Sequence, residues 1–411
     1  MRCLAVATAT VILVALGPVA RADTKKPAVA TGTDFGAQAR AMYRVAACGG
    51  DEAVSERFPA KTLERHCKEL KETYAAYRKA WADQATKFIG DLRPNDAPKT
   101  VVYPFGCGDL VSALVVFPNA TEITTVSLEA PGDVRVIDTI DKATLTTDLA
   151  TISHDIRRLY QSAHSTTKSL QAAAHSTLPG TLMFAFAALA VHDQEPVALR
   201  YFDIQPDGSP RYLTTEEMDQ RATEFAALKK AGKKGGPKPT THFWYEQDTP
   251  FGNVEIQFRP RGDAKAAPRT YRHIVQNVDD THMTADDRLL VHLRAKGKVS
   301  VMTKAASFLL WYDDFGKIRD YLLKHVAWMI SDASGLPPSF AEPAGFEQIT
   351  YGQFAGPYFI IDPKNVRAQF VKLWKAQPKR ALPFRFGYPD QDKNHHLMIT
   401  RPKTPDVPTK N

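Results

Sequence analysis

The residues with the clearest chemical potential form a glycine turn, Gly106-Cys107-Gly108-Asp109, after a β-rich run from Val101 to Phe105. Glycines after a strand let a phosphate or ribose approach the backbone, and the amides at the start of the next helix favour an anion. An acid about 20 residues further on often bonds ribose hydroxyls. Glu129 lies 23 residues after Gly106. The turn therefore resembles a nucleotide-binding site.

The same turn departs from nucleotide-binding motifs in two ways. Leu110 stands where a methyltransferase-type GxGxG has its third glycine, and Val111 stands where the dinucleotide motif GxGxxG has it. Asp109 adds a carboxylate where a phosphate would sit, which disfavours a dinucleotide more than S-adenosylmethionine. The alternative is a glycine turn that only closes a corner between strand and helix. The identity of any cofactor stays open.

Polar side chains also follow the other predicted parallel strands. In parallel sheets, ligands bind at the carboxyl ends of the strands. If the strands share one sheet, their polar ends could bind a small molecule or perform metal-assisted hydrolysis with Asp109, Glu129, Asp279 and His282. The alternative is that these residues cap helices. No metal site is assigned and the catalytic residues are unknown, but the following residues are candidate ligand contacts: Gly106, Gly108, Asp109, Glu129, Asp279, Asp280, His282 and Lys304.

The order of the strands and helices expected around these residues predicts an α/β fold with a mixed sheet. Thr100 to Asp133 and Tyr271 to Met302 each read as strand, helix and strand, and Thr284 with Asp287 is a capping-box signal for the second helix. Two antiparallel hairpins are also predicted, one starting with Val197 to Ile204 and one pairing residues 242–247 with 253–258. A further helix, capped by Asp313 or Asp314, is predicted to run past Met329 to Gly335. The sheet is thus a degenerate Rossmann-like sheet with antiparallel additions.

A helical hairpin is predicted before the sheet. Apolar or small residues recur every three or four positions from Leu63 to Phe88, and Cys67 shares their face. The preceding helix ends at Cys48, so an antiparallel arrangement can bring Cys48 to Cys67. This disulfide and three free thiols are both compatible with the sequence. The predicted organisation is a signal peptide (1–22), a disordered lead (23–33), the hairpin (34–92), an α/β core (93–400) and a loose tail (401–411).

The first 22 residues indicate export. A basic Arg2, an apolar run and Ala20-Arg21-Ala22 describe a cleavable signal, and no later stretch is long enough to cross a bilayer. The protein is therefore expected in the periplasm or outside the cell, without a membrane span after cleavage. The net charge is +8, and five lysines fall in a flexible loop at 228–240. A solvated loop accounts for that cluster, so no nucleic acid partner is expected.

Several segments resemble a group of uncharacterised exported bacterial proteins. The likeness rests on the run Tyr103 to Asp109 and on Lys304 to Leu309, and is completed by Phe117-Pro118, 128–132, 331–337 and Tyr351-Gly352. That group has no established activity, so the resemblance implies a shared core and assigns no catalytic residue. Two functions are compatible with the sequence. One is a non-catalytic protein that binds a small ligand or a partner, and the other is a metal-assisted hydrolase or methyltransferase-like enzyme.

Overall fold

A ten-stranded sheet lies at the centre of the computed structural model, which describes residues 32–48, 60–106, 108–162, 177–230, 250–356, 365–387 and 395–403. Several predictions lie outside these residues: the signal peptide 1–22, the lead up to residue 31, Cys107, the loop 231–240, the strand 242–247 and the tail 404–411. The strands of the described residues are, in chain order, β1 (Thr100–Pro104), β2 (Glu122–Ser127), β3 (Gln194–Ile204), β4 (Pro210–Tyr212), β5 (Asn253–Pro260), β6 (Arg269–Val275), β7 (Val299–Thr303), β8 (Val326–Ser331), β9 (Phe346–Gln353) and β10 (His395–Pro402). Their order across the sheet is β4-β3-β5-β6-β2-β1-β7-β8-β10-β9.

Five neighbouring strands, β6, β2, β1, β7 and β8, run parallel. Numbered by their order along the chain they lie as 3-2-1-4-5, which is the doubly wound, nucleotide-binding order. The strand order reverses between β1 and β7, where Val102 is in register with Val301. Ligands in such folds bind in the crevice at the carboxyl ends of these two strands. The predicted α/β class with two βαβ units, β1–β2 and β6–β7, is confirmed.

Antiparallel strands extend both sides of the parallel centre. On one side β5 pairs with β6, β3 with β5 and β4 with β3, while on the other β10 lies between β8 and β9. Both edges of β5 are therefore occupied by β3 and β6. The predicted hairpin partner of residues 253–258, the strand 242–247, lies outside the described residues. In addition, β10 runs to Pro402, so the predicted tail begins inside a strand.

Helices cover both faces of the sheet. Residues Tyr43–Ala47 continue the first helix as a π-helix, Arg78–Ala82 form a π-helical link between the second and third helices, and Ala305–Trp311 form a 3₁₀-helix. Within the described residues no helix is long and apolar enough to cross a membrane. The α-helices of these residues are α1 (Gly36–Met42), α2 (Ala60–Tyr77), α3 (Asp83–Leu92), α4 (Leu110–Val116), α5 (Val136–Thr139), α6 (Lys142–Ser162), α7 (Gly180–Val191), α8 (Thr215–Lys230), α9 (Asp280–Ala285), α10 (Arg288–Ala295), α11 (Gly316–His325), α12 (Pro338–Ala341) and α13 (Val366–Ala376).

The sheet separates two apolar cores. Successive side chains of a strand point to opposite faces, so Val101 and Tyr103 join the core that contains α1 to α7, whereas Val102 joins the core that contains α9 to α13. Each strand of the parallel centre is therefore buried on both sides.

This two-sided burial explains an error in the predicted helices. The helix expected to run from Phe315 to Gly335 ends at His325, and Val326–Ser331 is strand β8. A strand that is buried on both faces is apolar at nearly every position, so its sequence does not alternate and can match a helical spacing. Trp328 faces one core and Met329 the other.

The helical hairpin is closed by a covalent bond. The first helical segment ends at Ala47 and α2 begins at Ala60, and Cys48 and Cys67 form a disulfide with a Cα–Cα distance of 5.3 Å. The predicted pairing is confirmed. The bond ties the start of α2 to the end of the first segment, and α2 carries Tyr74 and Tyr77 into the core.

We expect the disulfide to stabilise the fold by restricting the unfolded chain. For a sequence separation of 19 residues, loop-closure entropy gives about 3 kcal/mol. The double substitution Cys48→Ser/Cys67→Ser should lower the free energy of unfolding, measured by denaturant titration, by this amount. A reducing agent should lower the stability of the wild type similarly and leave the variant unchanged. Equal stability of wild type and variant would contradict the prediction.

Acid should destabilise the fold through the buried His396 of β10. Burial and the neighbouring His395 lower the pKa of His396 to about 3. The unfolded chain binds a proton below about pH 6.5 and the folded chain does not, so stability is lost as the pH falls from about 6.5 to 3. At about pH 5, the lowered pKa of His396 therefore reduces the free energy of unfolding by about 2 kcal/mol.

Chemical denaturation at neutral and acid pH tests this contribution of His396 to the pH dependence of stability. His396→Gln should lose about 2 kcal/mol less on acidification than the wild type, since glutamine has no proton to gain. His154, whose side chain is 69% exposed, provides the control: His154→Gln should follow the wild type. An unchanged acid sensitivity of His396→Gln would refute the assignment.

Candidate functional site

The glycine turn after β1 is shaped by its own strand. A Cβ atom on Gly106 would lie 2.7 Å from both the ring Cγ and the carbonyl oxygen of Tyr103. The amide of Gly106 donates to Val126 O of β2 (3.1 Å), and the amide of Asp109 donates to Gly106 O (2.9 Å). Gly106 is therefore required by the close approach of Tyr103, and the turn folds back on β1. Gly108 is also buried.

Asp109 holds three groups with one carboxylate. It is the N-cap of α4, where Oδ1 accepts from the amide of Ser112 (3.2 Å). Its Oδ2 accepts from the hydroxyl of Tyr103 (3.0 Å) and forms an ion pair with Lys304 Nζ (3.0 Å). The cap interaction follows from local sequence, because Asp is a favoured N-cap residue and Pro118 prevents continuation of α4. Tyr103 and Lys304 are contacts that only the sheet creates.

Lys304 reaches Asp109 from the end of β7, the strand beside β1. Its Nζ also donates to Ser112 Oγ (2.9 Å). The side chains of Lys304 and Asp109 are 3% and 0% exposed. The pair therefore lies at the carboxyl ends of β1 and β7, where the strand order reverses.

Buried aromatic residues lie near this ion pair. Tyr77 of α2 and Tyr160 of α6 pack with ring centroids 4.7 Å apart. Burial raises the pKa of both hydroxyls well above the usual value, and the charge of Asp109 raises it further. Neither hydroxyl has a hydrogen-bond partner among the described residues. The carboxylate thus acts electrostatically on two phenols in a region of low dielectric, where charge interactions are strong.

A second polar network follows β7 and β8. Ser307 Oγ lies 2.6 Å from Ser334 Oγ, and Asp332 Oδ1 accepts from the amide (2.9 Å) and the hydroxyl of Ser334. The indole of Trp311 donates to Ser334 O (3.2 Å), and His396 Nδ1 accepts from the amide of Ala333 (2.9 Å). These interactions fix the chain after β8. The segments 304–309 and 331–337, which carry the sequence resemblance, therefore meet here.

Sequence reasoning did not identify this network as part of the candidate site. The available local signal was the Asp-x-Ser pattern of 332–334, since such carboxylates commonly bond an amide two residues on. The contacts with Ser307 and His396 join residues 27 and 63 positions apart. No spacing rule could have predicted them.

Glu129 lies at the end of β2, as predicted, and its backbone is held by β6. His273 Nε2 bonds the carbonyl oxygen of Glu129 (2.7 Å), while its Nδ1 lies 3.0 Å from Thr125 Oγ1. Tyr271 OH also lies 3.0 Å from Thr125 Oγ1. Burial lowers the pKa of His273. This network fixes the position of the chain where the sheet meets the predicted ligand site.

Asp279 and His282 form a pair after β6. Asp279 caps α9 by accepting from the amide of His282 (2.9 Å), and its two oxygens lie 2.8 and 2.9 Å from the ring Nδ1. Asp279 is buried, whereas the side chain of His282 is 19% exposed. The carboxylate therefore orients the imidazole with Nε2 away from it. This orientation is the one used to position a general base, and it also suits a simple helix cap.

Asp280 has a structural role that differs from the prediction. Its oxygens accept from the amides of Gly316 (3.1 Å) and Lys317 (2.8 Å), so it caps α11 from a distant part of the chain. The predicted capping by Asp313 or Asp314 is wrong, because these residues form a 3₁₀ turn before the helix. The predicted capping box of Thr284 and Asp287 is also wrong. Thr284 lies inside α9, and Asp287 makes no side-chain cap bond with α10.

The contacts place the predicted residues in separate groups. Asp109 and Lys304 are joined with the turn of Gly106 and Gly108, and Asp279 is joined with His282. Asp280 is committed to α11, and Glu129 is held through its backbone by His273. In the described residues no three His, Cys, Asp or Glu side chains lie close enough to hold a metal ion. The arrangement supports an ion-paired strand junction more directly than a metal centre.

Comparison of the chain with models of protein families, with curated proteins and with solved structures finds no match.

The Asp109–Lys304 pair should be strongly coupled energetically. Removing one partner of a buried pair leaves an uncompensated charge and costs about 3–5 kcal/mol. Lys304→Met should therefore be severely destabilising in denaturant titrations. Adding Asp109→Asn, which keeps a good N-cap residue, should recover part of the loss, giving a coupling energy of about 2 kcal/mol.

An exposed pair supplies the control for this double-mutant cycle. Arg157 and Glu69 join α6 to α2 at 3.2 Å, with side chains 45% and 41% exposed. The cycle with Glu69→Gln and Arg157→Met should give a coupling below about 1 kcal/mol. A Lys304→Met variant that loses less than about 1 kcal/mol would show that the junction tolerates a lone charge.

Proposed function

We propose that the chain is a non-catalytic binding protein built on a nucleotide-binding-type fold whose crevice is closed by its own side chains. The observation that carries the proposal is the Asp109–Lys304 ion pair at the carboxyl ends of β1 and β7. In open α/β sheets this is the place of the ligand. Here both side chains are buried and bonded to each other, so neither is available to a cofactor.

The start of α4 supports the same proposal. In nucleotide-binding folds the amides at the start of this helix bind phosphate. In this chain the amide of Ser112 is bonded to the carboxylate of Asp109. A phosphate would have to displace that carboxylate and would meet its negative charge. Binding of a partner elsewhere on the surface is therefore the better account of the fold.

A second candidate is a methyltransferase-like enzyme, and the strand order favours it. Between β6 and β9 the chain-order numbers read 3-2-1-4-5-7-6, with β10 antiparallel to its neighbours. The parallel part of this order is that of doubly wound folds, which bind nucleotide-type ligands where the strand order reverses, and this likeness of fold does not by itself assign function. Glu129 after β2 and Asp279 after β6 would be its candidate ligand contacts.

Calorimetric titration of S-adenosylmethionine and of a dinucleotide into the purified protein separates the two candidates. We expect no binding heat from either ligand, because the crevice is occupied by the ion pair. Stoichiometric binding of S-adenosylmethionine that is abolished by Glu129→Gln, and retained by the exposed control Glu342→Gln, would overturn the proposal. It would establish the methyltransferase-like alternative instead.

We also propose that the protein acts after export, in the periplasm or outside the cell. The basic, apolar and small-residue pattern of residues 1–22 supports export. The Cys48–Cys67 disulfide supports an oxidising compartment, where such bonds persist.

A further inference from the structure

One described segment carries basic residues and no acidic residue. The whole sequence carries 53 basic and 45 acidic residues, a net charge of +8. In addition to the five lysines of 228–240, the segment 365–387 contains six basic residues and no acidic residue. Its basic residues are Arg367, Lys372, Lys375, Lys379, Arg380 and Arg385.

The segment is held rigidly by the core. Helix α13 buries Val366, Phe370 and Trp374 on one face, and the indole of Trp374 donates to Tyr351 O (3.3 Å). Arg380 donates to Thr350 O (3.4 Å), which fixes the chain beyond the helix. The basic side chains are therefore presented by a preorganised surface, so little conformational entropy is lost on binding.

The opposite face of α13 lines a groove of about 680 Å³. Ala368, Val371, Lys372 and Lys375 follow the i, i+3, i+4, i+7 spacing of one helix face, and Asn365 and Arg367 complete the described lining. Lys372 and Lys375 are exposed. Neither has an ion-pair partner in the part of the chain that the structure describes. Within the described residues, the groove thus combines the side chains of Ala368 and Val371 with two exposed lysines that have no ion-pair partner there.

We propose that this groove binds an acidic peptide segment of a partner protein. The cations attract carboxylates, while Ala368, Val371 and the aliphatic stems of the lysines can accept apolar side chains. Nucleic acid sites commonly add aromatic side chains for base stacking, but Phe370 and Trp374 face the core. A membrane-bound helix inserts its apolar face, and here that face is already buried in the fold.

The groove and the closed crevice are separate. Helix α13 follows β9 at the edge of the sheet, and in the strand order β8 and β10 lie between β7 and β9. The inference therefore extends the proposed binding function to a second place. Binding of S-adenosylmethionine in the crevice would overturn the proposed function without affecting this inference.

Fluorescence anisotropy with a short labelled peptide of glutamate and leucine tests the proposal. Binding should be measurable at low salt and weaken as salt is added, because exposed charges are screened. Lys372→Gln/Lys375→Gln should weaken binding about tenfold. The matched control Lys68→Gln/Lys71→Gln changes two exposed lysines with the same spacing on α2 and should leave the affinity unchanged.

A second pair of variants adds a negative charge instead of removing positive ones. Ala368→Glu should weaken binding, whereas Ala75→Glu, at an exposed position of α2, should not. A peptide with serine in place of leucine should bind more weakly than the leucine peptide. The proposal is overturned if both variant pairs bind like the wild type, or if the serine peptide, a DNA oligonucleotide or a phosphatidylserine vesicle binds more tightly than the leucine peptide.

Discussion

The buried ion pair between Asp109 and Lys304 is the constraint on which the central part of the structure depends. Removing two charges from water is costly, and their attraction offsets this only when geometry and further hydrogen bonds are good. Here Tyr103 and two groups of Ser112 supply those bonds. One interaction thereby joins β1, β7 and the start of α4. It does so in a buried aromatic environment, in which a lone charge would be poorly tolerated.

This constraint changes how the fold is interpreted. The order of the parallel strands creates a crevice between β1 and β7, and most folds of this type use it for a ligand. In this chain a buried ion pair lies at the carboxyl ends of these two strands, and the proposed function rests on that position. The Asp332–Ser334 network and His396 reinforce the neighbouring strand end. Polar groups at the carboxyl edge therefore stabilise the sheet, while Lys372 and Lys375 are exposed on α13, away from the place where the strand order reverses.

The same principle separates the two kinds of charged residue. Asp109 and Lys304 lie in the interior, where they are paired with each other and bonded to further partners. Lys372 and Lys375 instead project from a helix whose opposite face is anchored by Phe370. An exposed charged side chain without a partner in the core stays hydrated. It can therefore form an ion pair with a binding partner. This difference in burial is the physical reason for proposing recognition as the role of the second group.

The sequence by itself determined the features that depend on neighbouring residues. The glycine turn and the Asp109 cap follow from local spacing and propensity, and the expected chain reversal made the Cys48–Cys67 pair possible. Only the tertiary structure decided that Val326–Ser331 is a strand, that Asp280 caps α11 and that Lys304 pairs with Asp109. A sequence shows which residues can cap, pair or be buried, but the choice among competing partners depends on strand order, which brings distant residues together.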